Sequence, residues 1–194
     1  MGRGRFDLRQ VMSVDPLIGK TERVLAEGES LVHPPSKCID AGSVTVAASQ
    51  LATGIGSTGR LSLRFLTPMR LIANEQLIKV PDFGVLFARL LERIDHLDRQ
   101  FCGGARRDEA ERQTLQAHAD HVRLADSRVE WVEVRSGSAR SGEPTWISGF
   151  VGESTYIAPE HIWLPLLPWL VWGTLTQVGK DVVKGNGVFR IVQV

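Results

Sequence analysis

The order of two hydrophobic periodicities between Arg60 and the C-terminus constrains the fold of this chain more than any other feature. Residues 60–67 alternate between apolar and polar, which places Leu61, Leu63 and Phe65 on one face of a strand. Residues 83–101 instead repeat apolar side chains at helical spacing: Phe83, Phe87, Leu90, Ile94, Leu97 and Phe101. The chain therefore passes from a predicted strand to a predicted amphipathic helix.

Proline and glycine residues set the ends of these two elements. Thr67-Pro68 is predicted to end the strand, since a residue before proline avoids the helical region, and Cys102-Gly103-Gly104 is predicted to stop the helix. A second helix is expected over residues 108–122, because Asp108, Glu109 and Glu111 favour a helix N-terminus.

The remaining segments complete a recurring order of strands and helices. We predict a hairpin with strands at 129–135 and 145–151, a helical segment over 160–176 and a last strand at 188–192. The order β–α–(α)–β–β–α–β is typical of an α+β, ferredoxin-like (RRM-like) domain. Its four strands should form one antiparallel sheet, with the helix from Phe83 and the segment around Trp163–Trp172 covering one face.

The first third of the chain has a different composition. Residues 5–14 and 22–25 read as short strands, with Asp15-Pro16 and Gly19 between them. Residues 27–59 are rich in Gly, Ser, Ala and Pro, which predicts a linker or irregular segment. The predicted organisation is thus 1–26, 27–59 and a C-terminal domain at 60–194.

Composition limits the classes of function. Apolar residues form 43% of the 194, so a packed core is expected, and the net charge of +1 gives no global electrostatic case for nucleic acid. Cys38 and Cys102 fit no zinc or disulfide pattern, and no signal peptide is visible, which favours a cytoplasmic protein. The longest apolar run, Ile162 to Val171, is shorter than the ~20 residues that a membrane span needs.

A loop rich in glycine and lysine precedes the last predicted strand. It carries Gly179, Lys180, Lys184, Gly185, Asn186 and Gly187. Glycine lets a backbone approach a partner closely, and two lysines beside exposed N–H groups suit a phosphate. A nucleotide-binding P-loop is rejected, because the spacing is wrong, Asp181 replaces the hydroxyl residue and the loop follows a helix. The alternative is structural: a helix C-cap at Gly179 and a turn at Gly185-Asn186-Gly187.

Other candidate residues each have a structural alternative. His118 and His121 share a helix face and could move protons, although surface histidines explain them equally well. Arg89, Arg93, His96 and Gln100 form a polar stripe that is usually a solvated face. Arg135 and Arg140 lie at the hairpin loop, and the nearby Trp131 and Trp146 could stack on bases or pack in the core; Trp163, Trp169 and Trp172 are predicted to pack.

Several of these pieces, in this order, resemble one family. They are Leu63-Arg-Phe-Leu-Thr-Pro-Met-Arg-Leu71, the helix from Phe83 to Leu97, Ser148-Gly-Phe-Val-Gly152 and Val178-Gly-Lys-Asp-Val-Val-Lys-Gly-Asn-Gly-Val-Phe-Arg-Ile191. They look like the C-terminal half of the CRISPR-associated repeat-cleaving endoribonucleases of the RAMP superfamily, which resemble two ferredoxin-like domains in tandem. Lys184 departs from the pattern, since relatives often have an aromatic or small residue there.

The resemblance also covers the N-terminus. Gly2 to Leu8 resembles the end of the glycine loop and the last strand of a preceding ferredoxin-like domain, so residues 1–26 would be the remnant of a truncated first domain. That domain carries the general acid/base histidine in many relatives, which leaves the catalytic residues of this chain unknown. The expected partners include a separately encoded first half, other CRISPR-associated subunits or a second copy of the chain.

The resemblance implies a function and a site. The expected function is binding of CRISPR repeat RNA and metal-independent processing of it, in which a 2′-hydroxyl attacks the phosphate and leaves a 2′,3′-cyclic phosphate; no cofactor or metal is expected. The predicted RNA-binding residues are Gly179, Lys180, Lys184, Gly185, Asn186, Gly187, Arg190, Arg135 and Arg140. The alternatives are a non-catalytic RAMP subunit that holds guide RNA, or an unrelated ferredoxin-like interaction domain.

Overall fold

The computed structural model describes residues 7–137 and 144–192, which contain both strands and helices. In chain order they are β1 Val11–Val14, β2 Thr21–Leu25, α1 Ala41–Ile55, β3 Arg60–Met69, β4 Leu71–Ala73, β5 Gln76–Ile78, α2 Phe83–Leu97, α3 Glu109–Asp120, β6 Arg123–Gly137, β7 Pro144–Ile157, α4 Glu160–Trp163, α5 Leu167–Thr176 and β8 Phe189–Val192. The chain divides into two units, one ending at Val44 and the other beginning at Thr45.

The second unit is built on a four-stranded sheet with the order β6-β7-β3-β8. Every neighbouring pair is antiparallel, with Leu63 opposite both Ser154 of β7 and Ile191 of β8. The predicted ferredoxin-like sheet is therefore confirmed. The alternation in β3 gives that strand one apolar face for the core. A register slip of one residue would turn this face to solvent, so its burial fixes the register.

The core lies between one face of this sheet and helices α2 and α5. Leu61, Leu63 and Phe65 of β3 are at most 2% exposed. The ring of Phe83 meets those of Tyr156 and Trp163 edge to face, with centroids 5.2 and 5.4 Å apart. Full burial of one such side chain stabilises the fold by about 1.5–3 kcal/mol. Burial also raises the pKa of the Tyr156 hydroxyl, which donates a hydrogen bond of 2.9 Å to the carbonyl of Pro81 and is therefore structural.

Helix α2 begins as predicted, and a π-helical turn continues it to the predicted end. The carboxylate of Asp82 accepts a hydrogen bond from the Val85 N–H at 2.8 Å and so caps its N-terminus. The α-helix ends at Leu97 and a π-helical turn continues it over Asp98–Cys102, so the predicted stop at Cys102-Gly103-Gly104 is confirmed, although Phe101 lies in the π-helical turn. Phe101 is 76% exposed, and the turn is closed by Gly103 in the left-handed conformation at φ 71°.

Strand β3 does not end at Thr67-Pro68 as predicted but continues to Met69. Its register with β7 shifts between Phe65 and Met69, so Pro68 sits at an irregularity of the ladder. A missing N–H is tolerated at such a position, whereas it would break a regular central strand.

The two hairpin strands are longer than predicted. β6 has 15 residues and β7 has 14, and their pairing runs from Arg123 opposite Ile157 to Gly137 opposite Pro144. The first part of β6 was not predicted, because Asp126, Ser127 and Arg128 are polar and give no hydrophobic pattern. In the structure the hydroxyl groups of Ser127 and Ser154 lie 3.1 Å apart across the strands.

The helical segment predicted over 160–176 is two helices, α4 and α5, separated at Leu164 to Leu166. Pro165 lies in this break, and Pro168 is tolerated because it stands in the first turn of α5. Trp163 is fully buried, as predicted, and its indole N–H donates a 2.9 Å hydrogen bond to the carbonyl of Gly59.

In the first unit, β1 and β2 pair as an antiparallel hairpin. β1 begins only at Val11, since residues 7–10 have no regular structure, and Phe6 lies outside the described residues. The assignment of residues 1–26 to the remnant of another domain stays a prediction.

The prediction that residues 27–59 form a linker or irregular segment is wrong for its second half. Helix α1 occupies Ala41–Ile55, because alanine favours helix and Asp40 accepts a 2.7 Å hydrogen bond from the Ser43 N–H at its start. This backbone hydrogen bond, followed by one from the Ser43 hydroxyl, lowers the pKa of the Asp40 carboxyl.

Across residues 7–137 and 144–192, none of the helices combines the length and the hydrophobicity that a bilayer span requires.

Candidate functional site

The glycine-lysine loop, residues 177–188, joins α5 to β8 and is held against the end of β3. The Val188 N–H donates to the Thr67 hydroxyl at 3.0 Å, and the Gly187 N–H donates to the Pro68 carbonyl at 3.2 Å. The Lys180 N–H donates to the Arg70 carbonyl at 2.9 Å. The Thr-Pro-x-Arg segment and the loop thus form one hydrogen-bonded unit, although they are more than a hundred residues apart.

The glycines of the loop differ in what surrounds them. A Cβ at Gly187, where φ is +76°, would lie 1.8 Å from the Val178 carbonyl oxygen, and one at Gly179, where φ is +95°, would lie 2.6 Å from the Arg70 carbonyl oxygen. Both positions therefore require glycine for packing within the protein. At Gly185, with φ +87°, a Cβ would meet nothing within 4 Å.

The structural alternative for the loop, in which Gly179 is the C-cap of the preceding helix, is wrong in that detail. Helix α5 is capped by Gln177, at φ 61°, and not by Gly179. Gly185 caps the short 3-10 turn Val182–Lys184, and its N–H donates to the Val182 carbonyl at 3.0 Å.

The charged and polar groups of the loop leave several donors available. Lys180 is exposed and has no carboxylate within salt-bridge distance among the described residues, whereas the ammonium group of Lys184 lies 3.3 Å from the Asp181 carboxylate. Asn186 is only 5% exposed, and its side-chain Nδ2 has no acceptor in the described part of the chain. An amide donor without an acceptor is costly inside a protein.

Arg70 was not among the site residues predicted from the sequence, and the structure makes it part of the loop's support. Its Nη1 donates to the Ser148 hydroxyl of β7 at 2.8 Å, and its carbonyl holds Lys180. Its Nε is buried with no acceptor in the range that the structure describes. The signal in the sequence was an arginine placed directly after a strand, which by itself marks no site.

Two of the other predicted RNA-binding residues, Arg190 and Arg135, lie in strands and not in the loop itself. Arg190 of β8 is exposed and stands opposite Arg64 of β3, on the sheet face that the helices leave uncovered. Arg135 is exposed and pairs in register with Trp146, which is 56% exposed. Arg140 lies outside the described residues.

Trp131 is half-buried, unlike Trp146. Its indole N–H lies 3.4 Å from a Glu133 carboxylate oxygen, and the Lys79 ammonium group is 5.7 Å from its ring centroid. Trp146 is therefore the tryptophan of the hairpin whose surface is open to a stacking base.

The two histidines of α3 do not join the loop. His121 ends the helix, with Nδ1 2.7 Å from the Ala117 carbonyl oxygen, and lines a cavity of about 650 Å³ with Gly59 and Arg123. That cavity lies at the start of β3, whereas the loop lies at its end, roughly 30 Å along the strand at ~3.3 Å per residue. In the described ranges, no three His, Cys, Asp or Glu side chains are grouped to hold a metal ion.

Comparison with protein families gives one match. The model described as CRISPR-associated endoribonuclease Cas6 matches residues 63–189, which include β3 from Leu63 onward, the hairpin and the entire glycine-lysine loop. A search of curated proteins gave no match.

Solved structures share the fold. Thermus thermophilus Cas6 is 17% identical with a TM-score of 0.54, and the match covers 69% of this chain and 53% of that one. A Cas6 product complex is 22% identical with a TM-score of 0.50, covering 75% and 56%. A partial Cas6-RT-Cas1–Cas2 complex is 11% identical with a TM-score of 0.62, covering 90% and 30%. The chain spans about half the length of the Cas6 structures that it matches.

Proposed function

The chain belongs to the CRISPR-associated endoribonuclease Cas6 family, and from this membership we propose that it binds CRISPR repeat RNA and takes part in its endonucleolytic processing. The observation that carries the proposal is that the family match includes the glycine-lysine loop, which Thr67, Pro68 and Arg70 hold in a defined conformation. The partners that follow from the proposal are the repeat RNA and other CRISPR-associated subunits.

The chemistry of the loop supports an RNA phosphate as its ligand. Lys180 is free of ion pairs in the described chain, and Lys184 has only the exposed contact with Asp181. The N–H groups of Gly179 and Asp181 donate to no acceptor within the described residues, while their neighbours are held by hydrogen bonds. Such a loop presents positive charge and backbone donors without reorganisation when the anion binds.

In the proposed reaction, the ribose 2′-hydroxyl attacks the adjacent phosphorus and the 5′-oxygen leaves, giving a 2′,3′-cyclic phosphate and a 5′-hydroxyl. The role proposed for this chain is to bind the phosphate and to stabilise the charge that develops on its oxygens, through Lys180, Lys184 and the loop N–H groups. Proton transfer from the 2′-hydroxyl is assigned to no residue of this chain.

The test combines RNA binding and cleavage. Wild-type protein and the variant Lys180→Ala/Lys184→Ala are titrated with labelled repeat RNA and with a shuffled RNA of equal length, over a range of salt. The expected result is preference of the wild type for repeat RNA, with the slope of log K against log salt smaller in the variant by about 1.4, or ~0.7 for each lost phosphate contact. Lys20→Ala/Lys37→Ala is the matched control, since both lysines are exposed in the first unit.

Cleavage is measured in EDTA, and the products are examined for a cyclic phosphate. Binding without cleavage would support the non-catalytic alternative, in which the chain holds guide RNA. Equal affinity for repeat and shuffled RNA would contradict the proposed function. Unchanged affinity and salt slope in the double lysine variant would show that the loop does not contact the phosphates.

A further inference from the structure

A second basic surface lies beside the glycine-lysine loop. A cavity of about 540 Å³ is lined by Gly179 and Val182 of the loop and by arginines from four other segments. The arginines are Arg89 and Arg93 of α2, Arg99 of the π-helical turn, Arg106 of the connection to α3 and Arg112 of α3. We call this set the arginine pocket.

Positive charge exceeds negative charge in this pocket. Its two carboxylates already have partners: Glu92 pairs with Arg89 at 2.6 Å and with Arg112 at 3.2 Å, and Asp95 pairs with Arg107 at 2.8 Å. No carboxylate of the described residues lies within salt-bridge distance of Arg93, Arg99 or Arg106. Like charges that converge without counter-charge repel one another, and a bound anion would relieve this repulsion.

The pocket is a built structure, since several of its side chains are fixed. The Nε groups of Arg93 and Arg99 are within 3.4 and 3.3 Å of the carbonyls of Thr176 and Asp95, which leaves their terminal nitrogens available. Nε of Arg89 is buried with no acceptor in the part of the chain that the structure describes. A helix face that is only solvated requires neither arginines fixed through Nε nor a buried guanidinium nitrogen without an acceptor.

Arg106 is positioned by its neighbour Arg107. The Arg107 guanidinium is only 10% exposed, binds Asp95 and Glu111, and lies with its Cζ 4.0 Å from the centroid of the Trp169 ring. These contacts fix the connection between the π-helical turn and α3 against α2 and α5. They therefore hold Arg106 at the pocket.

We propose that the arginine pocket is a second phosphodiester-binding site, which continues the path of the RNA backbone from the glycine-lysine loop. The inference rests on the proposed function. Arg89, Arg93 and His96 are spaced at i, i+4 and i+7 and cover about 10 Å of the helix, whereas a duplex strand carries a phosphate every ~3.4 Å. The surface is thus long enough for more than one phosphate, and guanidinium groups bind phosphate through two parallel hydrogen bonds.

An acidic polypeptide is the competing ligand for such a surface. RNA is favoured because Gly179 and Val182 line the pocket, so that Lys180 of the loop is a direct neighbour in sequence of the lining residues. One continuous polyanion can then contact both sites.

The experiment measures RNA binding by fluorescence anisotropy, with a labelled oligouridine of about 20 nucleotides and with labelled repeat RNA, in the full chain. The variant is Arg93→Gln/Arg106→Gln, and Arg9→Gln/Arg23→Gln is the control with the same loss of charge in the first unit, where both arginines are exposed. In the test variant, affinity at ~0.1 M salt should fall by about tenfold or more and the salt slope by ~1.4. The control should bind as the wild type does.

Further measurements separate the alternatives. Circular dichroism and the urea midpoint check that both variants are folded, and Arg93→Lys/Arg106→Lys should recover the salt slope but only part of the affinity, because charge is kept without the bidentate fork. Wild-type affinity and slope in the glutamine variant, or an equal loss in the control, would overturn the proposal. The proposal would also be overturned if polyglutamate bound at the pocket while the glutamine variant bound RNA as the wild type does.

These measurements also distinguish failure of the arginine-pocket proposal from failure of the proposed function. If oligouridine binding depends on Arg93 and Arg106 but repeat RNA is neither preferred nor cleaved, the pocket is a phosphate site and the proposed function is wrong. If the wild type binds neither RNA, both are wrong.

Discussion

At the scale of single residues, the loop shows that one residue type serves different purposes at neighbouring positions. Gly187 and Gly179 are placed where the backbones of Val178 and Arg70 leave no room for a Cβ, whereas Gly185 faces open space. The close approach that glycine allows is thus used within the protein at two positions, and only Gly185 has space on its Cα for a ligand.

Alanine at these glycines should separate the two situations. Gly187→Ala is expected to lower the free energy of unfolding by about 3 kcal/mol or more, because a positive φ and a clash with the Val178 carbonyl act together. Gly185→Ala should cost only about 1–2 kcal/mol, from φ alone. Urea unfolding of the two variants measures the difference, and equal losses would show that the loop rearranges to accept the side chain.

At the scale of elements, α2 has two roles. Its apolar face packs on the sheet through Leu86, Phe87, Leu90 and Leu91. Its polar face carries five residues that line the arginine pocket: Arg89, Glu92, Arg93, Asp95 and His96. The stability of this helix is therefore linked to the geometry of the pocket, and its N-terminal cap offers a way to alter stability without touching the arginines.

Removing the cap of α2 should destabilise the protein without removing a ligand contact. Asp82→Ala is expected to cost about 1 kcal/mol, since the Val85 N–H loses its acceptor. Asp108→Ala at the start of α3 is the matched control and should cost less, because Asp108 caps no N–H with its side chain. Chemical unfolding measures both, and the RNA affinity of the folded Asp82→Ala protein should equal that of the wild type. Equal losses of unfolding free energy in the two variants would show that the Asp82 side-chain hydrogen bond does not stabilise α2.

At the scale of the whole molecule, the buried apolar residues are distributed unevenly. In the described chain, every buried apolar side chain belongs to the sequence from Val44 onward, and Leu8, Val14 and Ile18 are more than half exposed. A unit with its own hydrophobic core is expected to fold independently, whereas a two-stranded hairpin is marginal in water.

A chain that begins at Asp40 should therefore retain the ferredoxin-like domain. It keeps the Asp40 cap of α1, and we expect a single cooperative urea transition with native circular dichroism. A chain that ends at Gly187 is the control: it lacks β8 with the buried Phe189, so it should not fold cooperatively. Loss of the transition in the first truncation would show that the residues before Asp40 supply essential contacts.

The sequence by itself determined the order of the main elements from Arg60 onward and the assembly of four strands in one antiparallel sheet. Alternation in β3 and the helical stripe of α2 depend on neighbours close in the chain, so periodicity records them directly. The same local signals underestimated β6, where polar residues pair with polar residues, and missed α1, because an Ala- and Ser-rich helix with little contrast between its faces resembles a linker.

Only the tertiary structure decided what the candidate site is made of. Gly187 needs its glycine because of a carbonyl nine residues away, Thr67 and Arg70 hold a loop more than a hundred residues distant, and the arginine pocket gathers side chains from α2, a π-helical turn, a connection and α3. Such sets carry no period along the chain. They exist because packing of α2, α3 and α5 brings distant segments together, and the largely covered Arg107 fixes the connection to α3 in place.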